Sequence, residues 1–232
     1  MIGFALLLPG LLMVEALARG RGFLRGCGWA LAAMTVAVSI WLLAVGPRAE
    51  ATLQELLQLS PQALAQVKAQ AGDALDDYID TAVSWRRALA VVYPGAWFVL
   101  GGISVVLNAV LLRGWLLRND PGWLERGEFE RLRWPVALTL PFVLSGAAVA
   151  LEATRRVGLN ALLVVAFFFA LQGLAIVAYY LQRLAGPALL RAGLAALVLL
   201  NPFATHLLVL LGLFDNWADF RKWADPPAED DA

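Results

Sequence analysis

The sequence predicts an all-α fold: a polytopic bundle of about six transmembrane helices with one amphipathic helix outside the hydrocarbon. Composition is the first reason. The chain has 232 residues, 61% of them hydrophobic and 16% charged, with a mean hydropathy of +0.71. Soluble domains run at roughly 45–50% apolar and about 25% charged. The second reason is a set of apolar runs near the roughly 20 residues that cross a bilayer core of about 30 Å. The third is one polar stretch, residues 46–87, with helical rather than random patterning.

The same composition excludes several functions. Eighteen basic residues balance eighteen acidic ones, so nothing in the charge favours nucleic acid or a basic tether to anionic lipid. Cys27 and His206 are the only residues of their types, which excludes an intrachain disulfide and a zinc site of three or four ligands. No cofactor and no metal are expected. The first eighteen residues lack a basic start and carry Pro9 and Glu15, so they read as a span and not as a cleaved signal peptide.

In chain order, the first run is Ile2–Ala18, followed by a basic turn through Arg19, Arg21 and Arg25. The second is Gly26–Val45, where the pairs Gly28/Ala32 and Ala33/Ala37 would let another helix approach closely. Residues 46–87 leave the bilayer. Leu64, Val67, Ala71, Leu75, Tyr78 and Ala82 recur at three- and four-residue steps, with Asp73, Asp76, Asp77 and Asp80 opposite. Ser60 would cap this helix and Pro61 start it. The aspartates lack calcium-loop spacing and read as a solvated face.

The third span, Ala88–Leu112, holds Pro94, Gly95, Gly101, Gly102 and Asn108, so it should bend or be closely approached. The connection Arg113–Trp134, with five arginines, four acids and Trp115, Trp123 and Trp134, suits the headgroup level on the cytoplasmic side. The fourth span is Pro135–Ala153, with Pro141 inside it. A turn at 154–158 leads to the fifth, Leu159–Leu181, with Gln172 beside Gly173. The sixth run, Pro187–Phe214, is too long for a perpendicular span and should tilt or break at Asn201-Pro202. Alternate connections carry ten cations against eight, which favours a cytoplasmic 113–134. Six single crossings would then leave Arg221 and Lys222 outside, a conflict that a re-entrant break at Asn201-Pro202 removes. Residues 1–223 form one transmembrane domain, and the acidic tail 224–232 reads as disordered.

No phosphate-binding loop, metalloprotease helix or nucleophile elbow is present, and only Lys68 and Lys222 are lysines, so the chain is not read as an ATPase or as any other enzyme. Chemistry is left to polar groups in apolar runs. Glu15 and Glu152 have Arg19 and Arg155/Arg156 in reach for local ion pairs. Asp215 and Arg221 suit the fixing of the last helix end. For ligand contact the polar choices are Asn108, Gln172, Asn201 and His206.

Three segments carry a resemblance: Phe129-Glu-Arg-Leu-Arg-Trp-Pro135, Phe169-Ala-Leu-Gln-Gly-Leu-Ala-Ile176 and Leu211-Gly-Leu-Phe-Asp-Asn-Trp-Ala-Asp-Phe-Arg-Lys222. Over about residues 85–222 the chain resembles the YybS-like family of bacterial membrane proteins, a domain of unknown function. Members usually carry further spans before the position of Leu8-Pro9-Gly10, so this chain reads as a shortened or variant member. The family is thought to be distantly similar in fold to the substrate-binding subunits of energy-coupling-factor transporters. The resemblance therefore implies a plasma-membrane protein that captures a small molecule, with a coupling subunit and ATPases as separate partners. The rival expectation is a membrane scaffold or assembly factor, binding protein partners through residues 51–83 and the 113–134 connection.

Overall fold

Inside a bilayer no water satisfies a peptide group, so an apolar chain closes its backbone hydrogen bonds within helices. A computed structural model describes residues 2–19, 25–37, 39–40, 76–119, 129–183 and 201–223, and among them there are helices and turns but no strand. The helices are α1 (Ile2–Ala18), α2 (25–37), α3 (Asp76–Asn119), α4 (Thr139–Ala150), α5 (Arg155–Arg183) and α6 (Pro202–Ala218). Segments Ala90–Asn119 and Glu152–Arg183 are long and apolar enough to cross a membrane. Their outward residues are large and apolar, among them Leu100, Ile103, Leu107 and Leu111 on α3, and the same holds for Leu140, Val143 and Leu144 on α4. In water such a surface would be an aggregation liability; in lipid it is the solvated face.

Helix α5 is the centre of the assembly, and α3, α4 and α6 all pack on it. Its buried face runs through Val165, Phe169, Gln172, Gly173 and Ile176. Because lipid supplies no hydrophobic drive between helices, close backbone approach has to supply the attraction. Gly173 and Gly212 provide it. A β-carbon on Gly173 would stand 2.0 Å from the carbonyl oxygen of Leu208, and one on Gly212 2.0 Å from that of Phe169. Helices α5 and α6 cross at these two glycines and run parallel beyond them: Gln172 bonds Asp215, and farther along α5 Tyr179 and Tyr180 bond Arg221 and Phe220 of the turn that follows α6. The hairpin of α4 and α5 is tightened by Gly158, whose β-carbon would meet the Val149 nitrogen at 2.7 Å.

Asn160 ties α5 to α3 beside Pro94, where the sequence predicted a bend or a close approach and the structure has the close approach. Its Oδ1 accepts the Gly95 N–H at 2.7 Å, and its Nδ2 donates to the Val91 carbonyl at 2.9 Å. These are the donor and acceptor that the helical ladder itself would join, and Pro94 beside them lacks an N–H. On the far side of α3, α1 packs Met13 against Val105 and Leu17 against Leu116, with Ala30, Leu31 and Met34 of α2 completing that core.

Several boundaries differ from the sequence reading. The third span is the distal part of one 44-residue helix that starts at Asp76, so the end of the supposed separate amphipathic helix is continuous with it. The fourth span contains only 12 α-helical residues. Pro135 is extended, a 3₁₀ turn covers Val136–Leu138, and Pro141 falls in the first turn of α4, where its missing N–H is not needed. The close contact of α2 with α1 is made by Gly26, whose β-carbon would lie 3.2 Å from the Ala16 β-carbon. It is not made by Gly28, which has nothing within 4 Å. The break at Asn201-Pro202 is present: Asn201 caps α6 through its Oδ1, which accepts the N–H of Phe203 and of Ala204, and Pro202 is the first helical residue. The cap at Ser60-Pro61, the periodic residues 64–75, residues 120–128 and 187–200, and the tail 224–232 lie outside the described residues.

Candidate functional site

The three segments quoted above meet in space. Gln172, halfway along α5, is fully buried. Its Oε1 accepts the Trp134 backbone N–H at 2.9 Å, while its Nε2 donates to Asp215 Oδ2 at 3.0 Å and to Asn216 Oδ1 at 3.3 Å. Asp215, also fully buried, accepts from Arg221 Nη1 at 2.8 Å and from the Phe220 N–H at 3.1 Å. Arg221 then reaches across with Nη2 to the Leu132 carbonyl at 3.0 Å. Arg133 answers from the other strand of the clamp, donating to the carbonyls of Asp215 at 3.0 Å and Asn216 at 3.2 Å. Both carbonyls belong to the last turn of α6, where helical acceptors run short of intrahelical donors; the Asp215 carbonyl also takes the N–H of the cap residue Asp219.

The backbone makes this arrangement available. Asp219 closes α6 in the left-handed conformation at φ 45°, which a short polar side chain tolerates better than most, and its N–H returns to the Asp215 carbonyl at 3.2 Å. A 3₁₀ turn, Phe220–Trp223, then folds Arg221 back toward Asp215. Burial pushes the Asp219 carboxyl up, but the hydrogen bond from Lys222 and the charges of Arg133 and Lys222 outweigh it and hold the group below its ordinary value. Trp134 locks the other segment: its indole N–H donates to the Phe168 carbonyl at 2.8 Å and its ring meets Phe168 edge-on at 5.1 Å. Tyr179 and Tyr180 donate to the carbonyls of Arg221 and Phe220, and Gln182 donates to Glu130.

This cluster is a latch. It pins the segment 129–134 and the C-terminal turn 219–223 to the C-terminal half of α5; both ends of the Gln172 amide and both Asp215 oxygens are used within it, while Asn216 Nδ2 and Arg221 Nε are buried without a hydrogen-bond partner among the described residues. Asp215 and Arg221 do fix the end of the last helix. Arg133 and Trp134 were visible in the sequence only as headgroup-level residues; the signal of their role was their presence in one of the three quoted segments.

The four polar residues proposed for ligand contact are not brought together. Asn108 donates to the Ser104 carbonyl at 2.8 Å and faces Gly10 of α1. Gln172 is committed to the latch. Asn201 caps the opposite end of α6, about 21 Å along its axis from Asp215, and the exposed His206 lies about 14 Å from that level. Glu15 pairs with Arg19 at 2.6 Å as expected. Glu152 is exposed and makes no ion pair among the described residues.

Two clefts between helices are lined by described residues. One, of about 620 Å³, lies where Asn160 meets Pro94 and Gly95, with Tyr93, Phe98 and Arg156 on its walls. It is broad and open, and the Asn160 amide is already used. The other, of about 280 Å³, lies between α2, α3 and α5 next to the latch, lined by Gly28, Leu31, Val105, Ala109 and Leu171, with Arg113, Phe129 and Trp134 at its outer end.

An apolar helical surface, glycine-mediated backbone contacts and a polar latch at one bundle end define an integral membrane protein. The chain belongs to the family described as predicted membrane protein (DUF2232), whose model matches residues 1–216. The YybS-like resemblance agrees with that membership. No curated protein and no solved structure matches the chain.

Proposed function

We propose that this protein is a small-molecule-binding subunit of a bacterial plasma-membrane transport system, crossing the bilayer several times and relying on partners for energy. The observation that carries the reading is the 280 Å³ cleft, which sits between helices at the membrane boundary with one wall, Phe129 to Trp134, clamped in place by the latch. Ligand sites in helical bundles occur between helices and are mostly apolar with few polar groups. A site held by a rigid support binds with less loss of conformational freedom. The sequence carries no nucleotide-binding motif, so coupling subunits and ATPases would come from elsewhere.

The distribution of cations supports an orientation. Among the described residues, Arg19, Arg25, Arg113, Arg118, Arg131, Arg133, Arg183, Arg221 and Lys222 lie toward the latch end, against Arg86, Arg87, Arg155 and Arg156 toward the other. The excess of Lys and Arg marks the cytoplasmic side. With α5 and α6 parallel, the C-terminal turn shares that side with the 113–134 connection, and the conflict met in the sequence disappears. Energy-supplying partners would dock there.

The scaffold reading draws on one feature, the 12 residues of α3 before Ala88, which extend the helix about 18 Å beyond its apolar span. Native mass spectrometry of the protein extracted gently from its host membrane separates the two. A stoichiometric small molecule, with membrane subunits and ATPases co-purifying, is the expected result. An empty bundle carrying a protein bound through residues 76–87 would overturn it in favour of the scaffold.

A further inference from the structure

We propose that the cleft beside the latch binds a short apolar chain with one anionic head group, the head paired with Arg113; this rests on the small-molecule-binding reading above. Three observations carry it. Nearly every wall residue is aliphatic or aromatic, and Val105 and Leu31 at the inner end are buried core residues, so the body of the ligand must be apolar. Among the described residues Arg113 is the only charged side chain on the wall; it is half-buried and has no ion-pair partner there. A partly desolvated guanidinium favours a carboxylate or phosphate over any neutral head, because charge-assisted hydrogen bonds are the stronger class. Third, Gly28 lines the cleft with nothing within 4 Å of where a β-carbon would stand, although glycine is the weaker helix former at an exposed helical position. A β-carbon there would enter free space at the wall of the cleft without meeting any atom.

Size narrows the ligand. At about 30 Å³ for a water-sized group, 280 Å³ holds about nine non-hydrogen atoms, near the lower limit of ligand pockets. From Arg113 to Val105 the helix rises about 12 Å, which sets the reach of the chain below its head. A medium-chain monocarboxylate meets both limits, and so does the upper part of an anionic lipid tail with its head group. The shared chemistry is an anionic head on a single apolar chain.

The probe is radiolabelled octanoate, bound to the full chain in nanodiscs of phosphatidylcholine. Saturable binding at one site per chain is expected, with octylamine failing to compete. Gly28→Leu fills the cleft and Arg113→Gln removes the charge; each should weaken binding by about tenfold or more, the size of one charge-assisted hydrogen bond. Thermal unfolding of both variants should match the parent protein. If Gly28→Leu does not fold, Val110→Trp, at the exposed mouth of the cleft, serves instead. Repeating the measurement with phosphatidylglycerol in the disc separates the sources: displacement of octanoate assigns the site to a lipid, and its persistence assigns it to a free acid. No saturable binding, or binding unchanged in both variants, overturns the proposal. Native mass spectrometry of Gly28→Leu keeps the two readings apart. A metabolite retained by that variant refutes the cleft and leaves the transport reading standing, whereas octanoate binding by a protein that never purifies with coupling subunits does the reverse.

Discussion

Replacing Gln172 by leucine tests whether the latch holds the bundle together. The change preserves volume and helix propensity while deleting both ends of the amide. Three hydrogen bonds go: one from the Trp134 N–H, one to the Asp215 carboxylate and one to Asn216. The Trp134 N–H is left without its acceptor, at about 1–3 kcal/mol, and the bond to the carboxylate is of the charged kind, worth about 1.5–3 kcal/mol. Hydrogen bonds between membrane helices often measure only about 0.6–1.7 kcal/mol, because the unfolded chain also finds partners. Gln172 stands above that range because it is fully buried and joins both segments of the latch to α5. We therefore expect a loss on the order of 3–5 kcal/mol, seen as a fall of roughly 6–20 °C in Tm for a chain of this size. The assay is thermal unfolding of the detergent-solubilised protein, followed by tryptophan fluorescence, since Trp134 and Trp217 flank the latch. A loss below about 1 kcal/mol would refute the reasoning, for then the network would be an accompaniment of helix packing and not its cause.

The other predictions rest on separate features. Gly212→Ala places a β-carbon against the Phe169 carbonyl and should destabilise by about 1–3 kcal/mol, whereas Gly146→Ala, with nothing within 4 Å, should be neutral or slightly stabilising; equal effects in the same unfolding assay would contradict the close α5–α6 contact. Asn160→Leu removes the side chain that bridges Val91 and Gly95, and hydrogen exchange at the Gly95 amide should speed up while amides on α4 are unchanged. The Asp219 carboxyl is held below its ordinary value, so its contribution is fully present above the unfolded value of about 3.9 and is lost as pH falls through the lower folded one. Protease cleavage near Lys222 should therefore rise on acidification below about pH 4, and Asp219→Asn should flatten that dependence; an unchanged profile would remove Asp219 from the latch.

The solvent and the helices were legible in the sequence because they are local properties. An apolar run of sufficient length must form a helix in lipid, since only a helix closes its own hydrogen bonds. Asn201-Pro202 announced a boundary for the same reason: an amide that caps and a residue without an N–H act within one turn. The fate of the polar side chains was not local. Gln172 and Asn201 are both amides in apolar surroundings, yet Asn201 caps an exposed helix start that Pro202 beside it marks, whereas Gln172 is consumed by an interior network that nothing within a few residues of it announces. The fate of Gln172 was set by the packing of α5 on α6. Two glycines 39 positions apart let the backbones touch, which brought Asp215 and Arg221 to Gln172 and set the C-terminal turn beside Arg133. The same packing decided which end of the bundle the C-terminal turn occupies. Charge counts along the chain could not decide it, because a helix carries no record of the direction of its neighbour.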